Sequence, residues 1–379
     1  MSNLEIFRNS FDRSAAFIHL NNAGVAPMSK PAAQAVTDTL ARLVSEGYHC
    51  VPELWAQVEA TRQKLARLLN SEADEIAFFQ SAAAAISQVA LGLDLKQGDE
   101  ILTWDQEYPS NFYPWRAAVE KTGANLVIAA SGPALDSPLE SLFAAVTPRT
   151  RVIAVSWVQF RTGAIVDLKG LSDFARARGI FTCVDIIQGA GFLPFDFKDL
   201  GIDAACGGSH KWFTAGPTVG YLILRGEHLE RIKPILYGAI TYGSQNDPSS
   251  MTSPFKAGAQ RYEPGSKTFL DIASFDASID LVAKVGVAQI GQEIEWLSRK
   301  LRHGLEERGY KVHSPHGRHH RGSIVNFGLG PDCKFKSQAD VVSVLKQNKI
   351  SFGERPPGVR LSPHAFNTAA EIETVLQLL

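Results

Sequence analysis

A lysine lies between glycines in the stretch GGSHKWFTAGPTVG, residues 207–220. Lys211 follows Ser209 and His210 and precedes Trp212. Apolar runs flank this stretch: IFTCVDII ends at Ile187 and VGYLILR begins at Val219, each with the length and β-branching of a buried strand. Taken alone, the residues leave two readings open. Lys211 is a solvated turn lysine, or it is an amine that condenses with the aldehyde of a cofactor. Asp185 sits near the end of the first apolar run, where a carboxylate is costly unless paired. A protonated pyridine nitrogen is a suitable partner for it.

DIIQGAGFLPFD followed by SHKWFTAGPTVGYLILR resembles the cofactor-binding core of the class V aminotransferase family of pyridoxal-phosphate (PLP) enzymes. That family includes cysteine desulfurases, kynureninase-like enzymes and isopenicillin epimerase-like enzymes. The resemblance runs from about residue 18 to the end of the sequence. It implies an α/β protein of PLP fold type I, with a large domain on a mainly parallel seven-stranded sheet and a smaller C-terminal α/β domain. The expected boundaries are 18–255 and 256–379, with the start of the chain joining the small domain or a dimer interface.

The resemblance also implies roles. Lys211 carries PLP, Asp185 pairs with the pyridine nitrogen, Gln188 bonds the phenolic oxygen, Ser209 binds phosphate and His210 is a positioning residue of the cofactor site. Tyr108, in EYPSN, stands where the family keeps a histidine or another aromatic over the ring, and is counted with Lys211 and Asp185 as catalytic. Tyrosine instead of histidine argues against desulfuration. The turn before Ala82 and Ala83 cradles the phosphate on free amides. Ser81 replaces the family's glycine there and Ala83 its threonine, which removes one hydroxyl donor. Ser266, in the segment Glu263-x-Gly265-Ser266, reaches toward the partner's phosphate in a homodimer with shared active sites. Candidate substrate contacts are Asn22 and Ala23 in the Asn-Asn-Ala-Gly turn, Gln159 after a central strand, and Arg360 as a carboxylate clamp. Arg161 has no ranked role.

These residues need elements to hold them. Ile76–Phe79, Glu100–Trp104 and Val152–Ser156 read as strands. A helix of strong formers follows from Ala82 to Leu91, and Ser29 with Pro31 opens another. Apolar spacings of three and four predict helices over AAQAVTDTLARLVSEG and ELWAQVEATRQKLARLLN. The Val58, Leu65, Leu68 and Leu69 stripe reads as core or dimer packing. Residues 237–255 read as a long polar loop. From 255 onward, alternating helices and strands suggest a smaller α/β unit. Val359 and Leu361 place Arg360 on the opposite strand face.

The chain has 379 residues, more than one core usually holds. Its formal net charge of -1 points to neither a nucleic-acid nor an anionic-membrane partner. The four cysteines, Cys50, Cys183, Cys206 and Cys333, form no metal or disulfide pattern. HSPHGRHH, residues 313–320, has the composition of a metal tract but reads as a solvated loop, so no metal is expected. No signal peptide or apolar span is seen, and the expected location is the cytoplasm.

The implied substrate is a small amino acid, attacked at its α-carbon. An aminotransferase or isopenicillin epimerase-like activity is the main reading. A cysteine desulfurase, selenocysteine lyase or kynureninase-like lyase is the alternative. A non-catalytic PLP-binding homodimer is the reading from another class. Cysteine desulfurases need a thiol ahead of the substrate arginine, and the segment KISFGERPPGVR has none.

Overall fold

The computed structural model describes residues 2–12, 17–132, 135–136, 138–243, 253–317 and 322–379. The end of the 313–320 tract and the middle of the 237–255 loop lie outside these residues. The main sheet has seven strands, ordered Ile76–Phe79, Gly220–Leu224, Ala204–Gly208, Phe181–Asp185, Thr150–Ser156, Glu100–Trp104 and Asn125–Ala129. All run parallel except Gly220–Leu224, which is antiparallel to both its neighbours.

The central strands are apolar on both faces because both faces are covered. Along Thr150–Ser156, Val152 and Ala154 join the core on one face, while Ile153 and Val155 join the core on the other. Asn125–Ala129 differs. It lies at an edge with only Ala129 buried, and its mixed pattern gave no strand signal in the sequence.

A second, antiparallel sheet runs Gly353–Arg355, Gly358–Leu361, Val325–Gly328, Lys311–Val312. The helices Val287–Glu307 and Ala369–Leu378 pack on it through Leu297, Leu301, Val375 and Leu376. The start of the chain joins this unit. Ile18–His19 pairs in parallel with Ile350–Ser351, and Leu20 is buried in the same core.

The helix Phe269–Val285 lies beyond residue 255, in the stretch expected to belong to the smaller unit. Its Ile272, Phe275, Ile279 and Val282 pack into the core of the large sheet. Gly286 breaks it at φ +95°. We therefore propose that the division between the two cores falls near Gly286, with residues 18–20 on the small side, in place of a boundary at 255/256.

Candidate active site

The carboxyl ends of the central parallel strands converge on a cavity of about 370 Å³. Ligands bind at this edge in open α/β sheets. Its walls include Lys211, Asp185, His210, Tyr108 and Arg360. Lys211 and Asp185 therefore meet in one place, together with three of the other expected residues.

Asp185 ends its strand and is 3 % exposed. Burial lifts its carboxyl above the ordinary range, while the Ile187 amide, 2.9 Å from Oδ1, and the charge of Lys211 pull it back. Lys211 is buried as well. Burial pushes its amine down to about 8; Asp185 opposes this, and Arg360 and Arg355 add to it. The solvated-turn reading of Lys211 fails on this burial.

The loop carrying Lys211 is braced from below. The Trp212 carbonyl lies 3.2 Å from His364 Nε2, and the Ala365 amide donates to His364 Nδ1 at 2.8 Å. Accepting at Nδ1 makes Nε2 the protonated nitrogen, donating to Trp212. Burial holds His364 neutral, pushing it down to about 3. Its ring stacks on Phe7 and Phe366.

The strand Ile76–Phe79 leads into the helix Ala82–Gly92 through Ser81, whose Oγ accepts from the Ala84 amide at 3.1 Å. The first amides, those of Ala82 and Ala83, have no acceptor within a helix. Both residues line the cavity. The turn rests on Gly220, where a Cβ would stand 2.1 Å from the Ser81 carbonyl carbon. His210 faces the same space, and among the described residues its buried Nδ1 has no hydrogen-bond partner. Burial, reinforced by Lys211, pushes its imidazole down to about 4.

Tyr108 is 39 % exposed and meets the buried Phe160 edge-on at 5.0 Å. The Lys211 amine is 5.6 Å from the centre of the Tyr108 ring. Arg360 is 2 % exposed. Its Nη1 donates to the Phe160 carbonyl at 2.7 Å and its Nη2 to Asn21 Oδ1 at 3.0 Å. Nε is buried and, among the described residues, has no hydrogen-bond partner. Among the described residues no carboxylate pairs with it, which excludes a surface ion pair. Gly353 lies opposite, and a Cβ there would press on the guanidinium at 3.3 Å.

Other expected residues are placed differently. Ser209 is fully buried, its hydroxyl donates to the Gly216 carbonyl, and it does not line the cavity. Its expected phosphate role is not supported, because its proton is already committed. Gln159 is also outside the cavity wall, with Nε2 on Glu107. Asn22 is turned inward, its Nδ2 on the Ser362 carbonyl, and its neighbour Asn21 is the one that meets Arg360. Ala23 does line the cavity. Gln188 does too, although its Nε2 donates to the Ala23 carbonyl and its Oε1 accepts from Trp212 Nε1. Ser266 is exposed and outside the cavity of its own chain. Its segment is anchored by Glu263, a buried carboxylate bonded to Arg62 and to the Phe78 amide.

Besides Asn21, sequence reasoning missed three residues. Arg355 lines the cavity from the hairpin that bears Arg360. Gly220 is the floor of the Ser81 turn. Glu107, next to Tyr108, is buried and accepts from the Ser156 amide and hydroxyl, Asn111 Nδ2 and Gln159 Nε2 at 2.5 to 3.2 Å. Burial still outweighs those donors and raises its carboxyl above the usual range. The only sequence signal for Glu107 was an acid beside the proposed stacking residue.

A helix N-terminus with free amides, an orphaned His210 nitrogen, a buried acid and a lysine of lowered basicity fit PLP. The comparisons agree. The aminotransferase class-V family matches residues 18–374, and the chain belongs to that family. It is 28% identical to isopenicillin N epimerase of Streptomyces clavuligerus, covering 96% of this chain and 94% of that one. It is 26% identical to a probable cysteine desulfurase of Pyrococcus abyssi, over 99% and 96%. A solved structure of a cystine C-S lyase with its product cysteine persulfide matches at a TM-score of 0.88 and 25% identity, over 96% and 97%. The protein is a PLP-dependent enzyme of fold type I that acts on an amino acid. Among the described residues no helix is long and apolar enough to cross a membrane.

Proposed function

We propose that the chain is a PLP-dependent carbon–sulfur lyase that needs no thiol of its own. The observation that carries this reading is the hairpin Gly353–Leu361. It presents Arg355 and Arg360 to the cavity but no cysteine. All four cysteines are buried and none lines the cavity. A protein-bound persulfide has no site to form on. The likeness to a cystine C-S lyase supports this reading over the aminotransferase or epimerase expected from the sequence. The tyrosine at 108 fits it too, since no thiol requires an imidazole acid beside it.

Bound PLP supplies an aldehyde for the substrate amine and a ring that draws electrons from the α-carbon. Lys211, with its amine near neutrality, takes the proton from that carbon. Asp185 holds a proton at the ring nitrogen. Ala82, Ala83 and His210 hold the phosphate. Arg360 offers the remaining donors of its two Nη atoms to the α-carboxylate, which fixes the Cα–H bond against the ring. Tyr108 covers the ring face. With cystine, the Cβ–S bond breaks and its electron pair leaves on sulfur. Cystine and water then give pyruvate, ammonia and cysteine persulfide, one of each.

We also propose that the enzyme is a homodimer in which Ser266 serves the partner's phosphate. Its exposure on a rigidly anchored segment, outside its own cavity, supports this.

The test supplies PLP-loaded protein with L-cystine, L-cysteine and a panel of L- and D-amino acids. Pyruvate, ammonia, persulfide, other keto acids and inverted amino acids are measured. The expected result is pyruvate and ammonia in equal amounts with persulfide, and no sulfur adduct in the intact protein's mass. A variant lacking all four cysteines should retain the activity. Transamination or inversion without sulfur release overturns the reading. So does loss of sulfur release in a folded, PLP-bound cysteine-free variant.

A further inference from the structure

The hairpin Gly353–Leu361 carries two arginines on one face. Arg360 stands opposite Gly353, and Arg355 stands opposite Gly358. In an antiparallel pair, directly opposed residues share a face, and so do alternate residues along each strand. Arg355 and Arg360 are therefore diagonal neighbours, a relationship that sets Cβ atoms about 7 Å apart. Glu354 falls on the other face, where it faces Lys346 at 3.8 Å. The acid nearest Arg355 in sequence is thus turned away from it.

The two guanidiniums differ in setting. Arg360 is deep, buried and braced by Phe160 and Asn21. Arg355 is half-buried, and its Nη1 donates to the Glu354 carbonyl at 2.8 Å. Among the described residues it has no carboxylate partner. Its mounting is nonetheless firm. Asn326 Nδ2 donates to the Arg355 carbonyl at 2.9 Å and to the Arg161 carbonyl at 3.1 Å, so one amide ties the hairpin to the loop after Thr150–Ser156. Both arginines line the cavity with Lys211, and among the described residues Asp185 is the only acid in its wall.

One α-carboxylate accounts for the deep arginine. It leaves the outer one on the cavity wall, with no anion among the described residues to neutralise it. We propose that the site selects amino acids whose side chain ends in a second anionic group, and that Arg355 is the residue that reads it. Cystine belongs to this class through its distal carboxylate. So do cysteine S-conjugates bearing a terminal acid. The proposal rests on the lyase reading above and names the substrate class of that site.

The probes are S-carboxymethyl-L-cysteine and its amide, S-carbamoylmethyl-L-cysteine, which differ only in the terminal charge. Binding to the PLP-loaded enzyme is read from the change in the visible absorbance of the cofactor, without reference to turnover. The wild-type protein should bind the acid about tenfold more tightly than the amide, the scale of one well-placed charge pair. In Arg355→Gln that ratio should fall to about twofold or less, and in Arg355→Lys to an intermediate value because charge remains and the fork is lost. Cofactor content and thermal melting identify any variant that is misfolded, and the lysine variant keeps the test decisive in that case. An acid-to-amide ratio near one in the wild type overturns the proposal, as does an unchanged ratio in both variants. Each of these outcomes leaves the lyase reading standing when pyruvate is still formed from either probe. Spectral silence toward every amino acid overturns both.

Discussion

Asn21 accepts from Arg360 across 339 residues of sequence, its Oδ1 lying 3.0 Å from Nη2. With the Phe160 carbonyl on Nη1, this contact sets the plane of the guanidinium and leaves the buried Nε with no hydrogen-bond partner among the described residues. The arginine is organised before any substrate arrives.

Arg360→Lys should keep PLP and lose most turnover. A lysine supplies the charge but cannot bond Phe160, Asn21 and a carboxylate in one plane. A loss in kcat/KM of about a hundredfold or more is expected for an amino acid, and little for the matching amine that lacks the carboxylate. Equal losses for the pair would remove Arg360 from substrate binding.

Borohydride reduction of the loaded protein should fix the cofactor on Lys211, found by peptide mapping. The neutral amine is the reactive form, and burial sets its midpoint at about 8. The rate at which apoprotein takes up PLP should then rise about tenfold per pH unit well below that midpoint and level off above it. A profile that keeps climbing to pH 10 would show that the amine is not lowered.

Gly220→Ala probes the phosphate turn. A Cβ at this position meets the Ser81 backbone, which cannot yield as a side chain can. The turn and the first amides of the helix must shift. Affinity for PLP should drop about tenfold or more, while affinity for pyridoxal, which lacks the phosphate, changes little. Fluorescence titration with both compounds separates the two. Equal losses would mean general damage to the sheet.

Glu107→Gln tests the buried carboxylate behind Tyr108. The amide can accept at one oxygen only, so at least one of the donors on Ser156, Asn111 and Gln159 loses its partner. Denaturant unfolding of the apoprotein should show a loss of about 2 kcal/mol, the scale of a hydrogen bond to a charged group. An unchanged midpoint would mean that the cluster is already satisfied by a neutral acid.

The chemistry at the end of a buried strand was legible from the sequence. Asp185 could be read because a carboxylate at the end of an apolar run is conspicuous, and Lys211 because glycines and strands framed it. Asn21, Glu107 and Arg355 were not legible, for a common reason. Each depends on which way a side chain leaves a turn or an edge strand, and that is set by contacts with residues far away in the chain. Asn22 and Ser209 were expected at the site from their places in motifs that resemble the family's, and the fold turns both inward. Arg355 was hidden further because Gly353–Arg355 is too short to announce itself as a strand.

The pairing of Ile18–His19 with Ile350–Ser351 brings together residues 332 positions apart. Asn21 and Ser362 meet beside it, and the chain then runs directly into Ala23, Gly24 and Val25 of the cavity wall. During synthesis, that wall is made early and must wait for its partner strand until almost the whole polypeptide has been translated. The large sheet has its local contacts well before then, but the substrate end of the cavity does not. Contacts of such long sequence separation close slowly. A nascent chain of this enzyme can therefore hold much of its folded core while it is still unable to bind an amino acid.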